Sequence, residues 1–275
     1  MSSASPPREL AGGKLLVDEP AGGVRRLTIS NPEKRNALDH PILDAITETL
    51  QQLAEPGEGC RCIVLTGAHG MFSAGYDIGE IPDAEFEQRA EALVAHPFTE
   101  AIEALEAFPW PTLAMLPGHT IGGGLELALA CDLRVALDSI RLGMPPAKLG
   151  LVYSHTGLRR FIDAIGAART RELFLLGRYV DADTALQWGL VNRVAAEQEL
   201  EPTTLDLAVE LAGNAPLSQV GNKRVINALL DAEGELPAEV EQELIELRRA
   251  SFASQDMREG MKAFRERRPP RWTGS

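Results

Sequence analysis

Apolar positions follow two rhythms along the chain, and each predicts a type of element. Lys14–Asp18 and Val24–Ser30 cluster apolar residues on either side of Pro20-Ala-Gly-Gly23, which predicts two strands joined as a hairpin. In 41–53 the rhythm lengthens: Ile42, Leu43, Ile46, Leu50 and Leu53 share one helical face, with Asp39 or His40 near its start. Cys60–Thr66 is a short strand that runs into Gly67–Gly79, a loop too rich in glycine to be regular. A helix is expected over 84–108, closed by Pro109-Trp-Pro111, and Thr112–Leu116 reads as a buried strand. Gly122-Gly-Gly124 then opens an apolar run that carries a single carboxylate, Glu126, and Asp132–Leu137 is a further strand. Strand, glycine turn, helix and strand therefore recur in order, which implies an α/β fold. From Gly157 the pattern is mainly helical, over 157–164, 167–176, 181–187, 200–213, 216–230 and 237–253, with a short strand at Leu190–Val194. This divides the chain into a disordered tail (1–13), a core (14–199) and a helical C-terminal region (200–275).

Composition narrows the classes open to such a chain. With 275 residues, 44% of them apolar, it can bury one large domain or a domain with an appendage. No apolar run reaches the roughly 18 residues of a membrane span, and 1–13 lacks the apolar centre of a secretory signal, so a soluble protein is expected. Cys60, Cys62 and Cys131 are odd in number and have no His/Cys cluster around them; neither a disulfide framework nor a metal site is expected, and a reducing cytoplasm fits. A formal net charge of −13 argues against nucleic-acid and membrane-surface partners. A small anionic ligand remains open wherever basic side chains gather. Met257–Ser275 is such a place, with six basic residues against two acidic ones, although an amphipathic helix end has the same composition. The glycine turn at 122–124 is likewise either a tight packing turn or a set of N–H groups open to an anion.

Five segments, taken in order, resemble the enoyl-CoA hydratase/isomerase (crotonase) superfamily: Asn31–Leu38, Phe72–Ile78, Ile121–Asp132, Ala182–Asn192 and Arg258–Arg268. The resemblance implies a crotonase-type spiral of ββα units with a C-terminal helical region, assembled as a homotrimer or a hexamer of paired trimers. It implies an acyl-CoA thioester substrate, with coenzyme A carried as part of that substrate and no separate cofactor. The shared device would be two backbone N–H groups, those of Tyr76 and Gly123, that bind the thioester oxygen as negative charge develops on it. The positions matching the coenzyme A site are Arg35, Ala37, Ala74, Asp77, Ile78, Gly122, Phe264 and Arg267, with Lys34 and Arg35 able to meet phosphates.

Departures from the pattern bear on the reaction. Hydration in this superfamily is associated with two glutamates; Glu126 matches the first, whereas the second position is Pro146, which has no acid or base to offer. Within the superfamily the combination of Glu80-Ile-Pro82, Pro146 and Leu149-Gly-Leu-Val-Tyr153 resembles methylmalonyl-CoA decarboxylases, which implies loss of CO2 from a short malonyl-type thioester. Tyr153 could then bond the departing carboxylate, and water, His155 or Glu126 could return a proton to the α-carbon. Against the subgroup stand Tyr76, where histidine is usual, and the triple glycine before Glu126. A hydratase or isomerase using Glu126 alone, and a protein that binds acyl-CoA without turnover, are the other readings. Each side chain also has a purely structural reading: Tyr76 as a loop aromatic, Tyr153 at the edge of the core, His155 as a structural histidine and Glu126 as a first-turn carboxylate.

Overall fold

A computed structural model describes residues 6–55, 57–77, 94–234 and 236–273. Eleven strands among these residues form two sheets. The larger has the order β1-β2-β3-β4-β6-β8-β11, from Arg8–Leu10 (β1), Leu15–Ala21 (β2), Val24–Ile29 (β3), Cys62–Gly67 (β4), Thr112–Leu116 (β6), Leu133–Leu137 (β8) and Arg193–Ala195 (β11). The smaller has the order β10-β9-β7-β5, from Met71–Ser73 (β5), His119–Ile121 (β7), Arg141–Gly143 (β9) and Tyr179–Asp181 (β10). From β4 to β9 successive strands alternate between the two sheets. Pairing from β3 through β11 in the large sheet is parallel, as it is from β5 through β9 in the small one. This alternation is the crotonase-type spiral of ββα units.

The helices close the turns: α1 His40–Ala54, α2 Thr99–Ala107, α3 Gly123–Leu129, α4 Pro146–Leu149, α5 His155–Leu176 and α6 Ala182–Trp188. Then follow α7 Glu197–Gly213, α8 Pro216–Gly234, α9 Ala238–Ala253 and α10 Gln255–Arg265. Asp39 accepts from the Ile42 N–H as the N-cap of α1, and Ser154 and Asp181 do the same for α5 and α6. The two expected helices over 157–176 are one run broken at Gly166 (φ 76, ψ 159).

β4 is buried at every position because both faces of the sheet are covered. Ile63 and Leu65 face a core shared with Ile42, Ile46 and Leu50 of α1. Cys62 and Val64 face a second core, closed by Leu200, Leu207 and Ala208 of α7. One expected boundary shifts. Residues 8–13 are ordered, because Arg8–Leu10 pairs antiparallel with Leu15–Val17, so the chain is structured upstream of Lys14. Past residue 200, α7 still seals one face of the sheet through Leu200, Leu207 and Ala208. The expected helix over 84–108 is seen as a π-helical turn, Val94–Phe98, running into Thr99–Ala107; 84–93, Ile78 and Glu80–Pro82 lie outside the described residues. No helix among the described residues is long and apolar enough to cross a membrane.

α10 was not apparent from the apolar pattern. It docks on α4 through close backbone contacts: a Cβ on Gly260 would stand 2.5 Å from the Leu149 carbonyl oxygen, and one on Gly150 2.7 Å from the Asp256 carbonyl carbon. Phe252 and Met257 pack there against Leu149, Leu151 and Tyr76, so the C-terminal helices bear directly on the loop after β5.

Candidate active site

Gly122 (φ 57) and Gly75 (φ 95) adopt left-handed backbone that side chains disfavour, and together they bring two loops into contact. A Cβ on Gly75 would stand 3.0 Å from the Ile121 carbonyl oxygen and 3.2 Å from the Gly123 nitrogen. The Gly75–Tyr76 peptide therefore lies beside the start of α3. The peptide is tied to Leu38: Leu38 N–H donates to the Gly75 oxygen (2.8 Å) and Asp77 N–H to the Leu38 oxygen (2.9 Å). The N–H groups of Tyr76 and Gly123 donate to no acceptor among the described residues.

Tyr76 turns its ring across Gly123, where a Cβ would come within 2.7 Å of Cε1, and sets it edge-on to Phe98 with centroids 4.7 Å apart. Its hydroxyl is 3.3 Å from that of Tyr153. Tyr153, buried against Phe174, donates in turn to Glu126 Oε2 through a short hydrogen bond. Glu126 is 2% exposed. Its other oxygen lies 3.3 Å from Arg160 Nη1, while Arg160 grips Glu106 of α2 through Nε (2.5 Å) and Nη2 (2.9 Å). Gly157 makes room for this row: a Cβ there would meet Tyr153 Cε1 at 2.6 Å and Glu126 Oε1 at 2.8 Å.

Burial dominates the proton affinities. It pushes the Glu126 carboxyl above its ordinary value, against the Arg160 charge and the Tyr153 hydrogen bond, which pull it down. Burial and the Glu126 charge hold both tyrosine hydroxyls well above theirs. Burial pulls the Arg160 guanidinium down, but the hydrogen bonds and charge of Glu106 more than offset it. An ionised Glu126 can only accept, so the Tyr153 hydrogen is directed to it and not outward.

Of the expected site residues, Tyr76, Gly123, Glu126 and Tyr153 converge. His155 does not join them: at the first turn of α5 its Nε2 lies 3.5 Å from Glu241 of α9, and it makes no hydrogen bond to Glu126 or Tyr153 among the described contacts. Pro146 is buried at the start of α4, a position it suits because its missing N–H has no helical partner to lose. Arg35, Ala37, Ala74 and Asp77 are drawn together: Ala74 N–H donates to the Arg35 oxygen (3.1 Å), and Lys34 pairs with Asp77 at 2.8 Å. In this pair the Lys34 charge faces a carboxylate of its own chain. Gly122 donates to the Gly143 oxygen (3.0 Å). Phe264, 67% exposed, lies in the last turn of α10, and Arg267, in left-handed backbone, follows its end. The basic C-terminal stretch is partly self-neutralised, since Arg268 pairs with Glu259 and Glu266, each at 2.6 Å. Arg160, Glu106 and Gly157 escaped the sequence reading. The signal available was Arg160 three residues after Gly157 on a helix whose buried face continues at Phe161, but nothing in the sequence links it to Glu106.

The family model described as enoyl-CoA hydratase/isomerase matches residues 19–275. A Mycobacterium leprae protein named a probable enoyl-CoA hydratase is 33% identical over 94% of this chain and 97% of its own. Carnitinyl-CoA dehydratase of Citrobacter koseri is 32% identical over 92% and 96%. Among solved structures, methylmalonyl-CoA decarboxylase complexed with 2S-carboxypropyl-CoA superposes with a TM-score of 0.86 at 29% identity, covering 95% of this chain and 98% of that one. An enoyl-CoA hydratase from Mycobacterium avium subsp. paratuberculosis does so at 0.79 and 27%, covering 94% and 98%.

Proposed function

This chain belongs to the enoyl-CoA hydratase/isomerase family and is an enzyme that processes acyl-CoA thioesters, and from that premise we propose that it is a lyase that decarboxylates a short malonyl-type CoA. The observation that carries this reading is the state of the site's carboxylates. Glu126 is engaged by Tyr153 and Arg160, and position 146 is a proline, so the two carboxylates that flank a water in hydration are not at hand. Decarboxylation needs no such pair.

In this reading the thioester oxygen sits between the Tyr76 and Gly123 N–H groups. The bond from the α-carbon to the carboxylate breaks, and its electron pair enters the enolate while neutral CO2 departs. The two donors stabilise the new oxyanion, each worth about 3–4 kcal/mol by comparison with known oxyanion holes. Apolar walls supplied by the Tyr76 ring and Phe98 favour neutral CO2 over the charged carboxylate from which it forms. A proton from solvent completes the α-carbon, and the Glu126–Tyr153–Tyr76 row is a path for it. Arg35, Ala37, Ala74, Asp77 and Gly122 would line the coenzyme A side, with Ile78, Phe264 and Arg267 completing it.

Purified protein incubated with methylmalonyl-CoA or ethylmalonyl-CoA should release CO2, and release no greater than that of a Gly123→Pro control overturns the reading. A second reading, hydration or isomerisation by Glu126 alone, is favoured by the names of the curated relatives. It predicts consumption of crotonyl-CoA or a 3-enoyl-CoA that is lost in Glu126→Gln.

The assembly we propose is a trimer or a pair of trimers. Its support is the apolar surface of α8, where Leu217 (90%), Leu229 (63%), Val225 (58%) and Ile226 (55%) stand exposed.

A further inference from the structure

Three charged groups from three helices lie in one line: Glu106 on α2, Arg160 on α5 and Glu126 on α3. Arg160 gives Nε and Nη2 to Glu106 in a bidentate grip, and only Nη1, at 3.3 Å, faces Glu126. The second Glu126 oxygen accepts from Tyr153, whose own oxygen is within reach of the Tyr76 hydroxyl. We propose that Arg160 and Glu106 are positioning residues: the guanidinium, gripped by Glu106, holds Glu126 as the acceptor at the end of the Tyr76–Tyr153 row and so sets the direction in which both hydroxyls point their hydrogens.

The direction matters because a row of hydroxyls has two polarities. While Glu126 is ionised it can only accept, so Tyr153 donates to it and Tyr76 donates to Tyr153, leaving oxygen lone pairs toward the site. Once Glu126 holds a proton it can donate to Tyr153, Tyr153 to Tyr76, and the Tyr76 hydrogen turns outward. A substrate carboxylate beside Tyr76 would meet lone pairs in the first case and a hydrogen in the second; this last step rests on the decarboxylase reading, and the row itself does not.

The pair acts with opposed signs. A buried carboxylate keeps its proton unless a cation compensates it, and Arg160 is the strongest such influence on Glu126. Glu106 works the other way, adding to the effect of burial. The groups that face the row are Arg160 from α5, Glu106 from α2, Tyr153 and Tyr76 from their loops, and Arg248 of α9, whose charge acts on the Tyr76 hydroxyl. A merely structural ion pair would loosen the site in the same way whichever partner was lost.

The test is a carbon-13 NMR titration of protein labelled at the glutamate carboxyl carbon, with the Glu126 resonance assigned by its loss in Glu126→Gln. Arg160→Gln should move the Glu126 midpoint upward by about one pH unit or more, a tenfold change in proton affinity. Glu106→Gln should move it downward, and Arg160→Lys should leave it close to the wild-type midpoint. Shifts of the same sign in Arg160→Gln and Glu106→Gln, or no shift in either folded variant, overturn the proposal. Should Arg160→Gln fail to fold, Glu106→Gln decides, and an unmoved or raised midpoint there overturns it. The titration needs no substrate, so wild-type protein that releases no CO2 would refute the decarboxylase reading and leave this result standing.

Discussion

Tyr153 and Glu126, 27 residues apart, are joined oxygen to oxygen in the interior, with the tyrosine donating and the carboxylate accepting. Both side chains are buried, and both lie against Gly157, where a Cβ would meet them. The carboxylate that looked free in the sequence is therefore half of a pair, and its chemistry is that of the pair.

Removing the hydroxyl tests what the pair contributes. Tyr153→Phe should fold, because the ring packing on Phe174 is kept, and should lower kcat/KM for the thioester by about 10²-fold or more if the row moves or orients a proton. Steady-state kinetics beside a circular dichroism spectrum is the check; unchanged kinetics in the folded variant would remove Tyr153 from the mechanism.

Gly157→Ala adds one methyl between the two partners, 2.6 Å from the Tyr153 ring and 2.8 Å from Glu126 Oε1. Overpacking of this kind costs about 1–3 kcal/mol, and here it should fall on the pair itself. The variant should lose activity out of proportion to its loss of melting temperature, measured on one preparation by kinetics and thermal unfolding.

Glu126 also gives stability a pH dependence with a definite sign. Its folded-state proton affinity is raised above the ordinary 4.5, so just above that value the unfolded chain is ionised while the folded one still holds the proton. Stability therefore falls as pH rises from 4.5 through the folded-state value and levels off above it. Glu126→Gln lacks this loss, so its stability relative to wild type should grow across the same window in urea unfolding at a series of pH values.

The exposed face of α8 makes a prediction for assembly. Leu217→Glu with Leu229→Glu should shift the mass measured by light scattering from that of a trimer or hexamer to that of a monomer, while the far-ultraviolet spectrum is kept. A wild-type mass already equal to the monomer would refute the trimer.

The elements and their order were legible because their causes are local. Apolar spacing marked α1, buried runs marked β4 and β6, and Gly166 broke α5 where the two expected helices met. The short strands β7, β9 and β10 were not legible, since three residues carry no period and pair only because the second sheet exists. α10 was legible only as one of two readings of 257–275, an amphipathic helix end, because only four of its eleven residues are apolar and its polar surface hides the face that packs on α4.

The same division holds at the site. The resemblance of these segments to the superfamily is what marked Tyr76, Gly123, Glu126 and Tyr153 as candidates and Pro146 as a missing acid, because a motif is a property of neighbours in sequence. Only the tertiary structure decided that Tyr153 spends its hydrogen on Glu126, that His155 turns to Glu241, and that Arg160 and Glu106 stand behind the carboxylate. The reason is physical: proton affinity and hydrogen-bond direction depend on burial and on charges a few ångströms away, and Arg160 stands 34 positions from Glu126 and 54 from Glu106 in the chain.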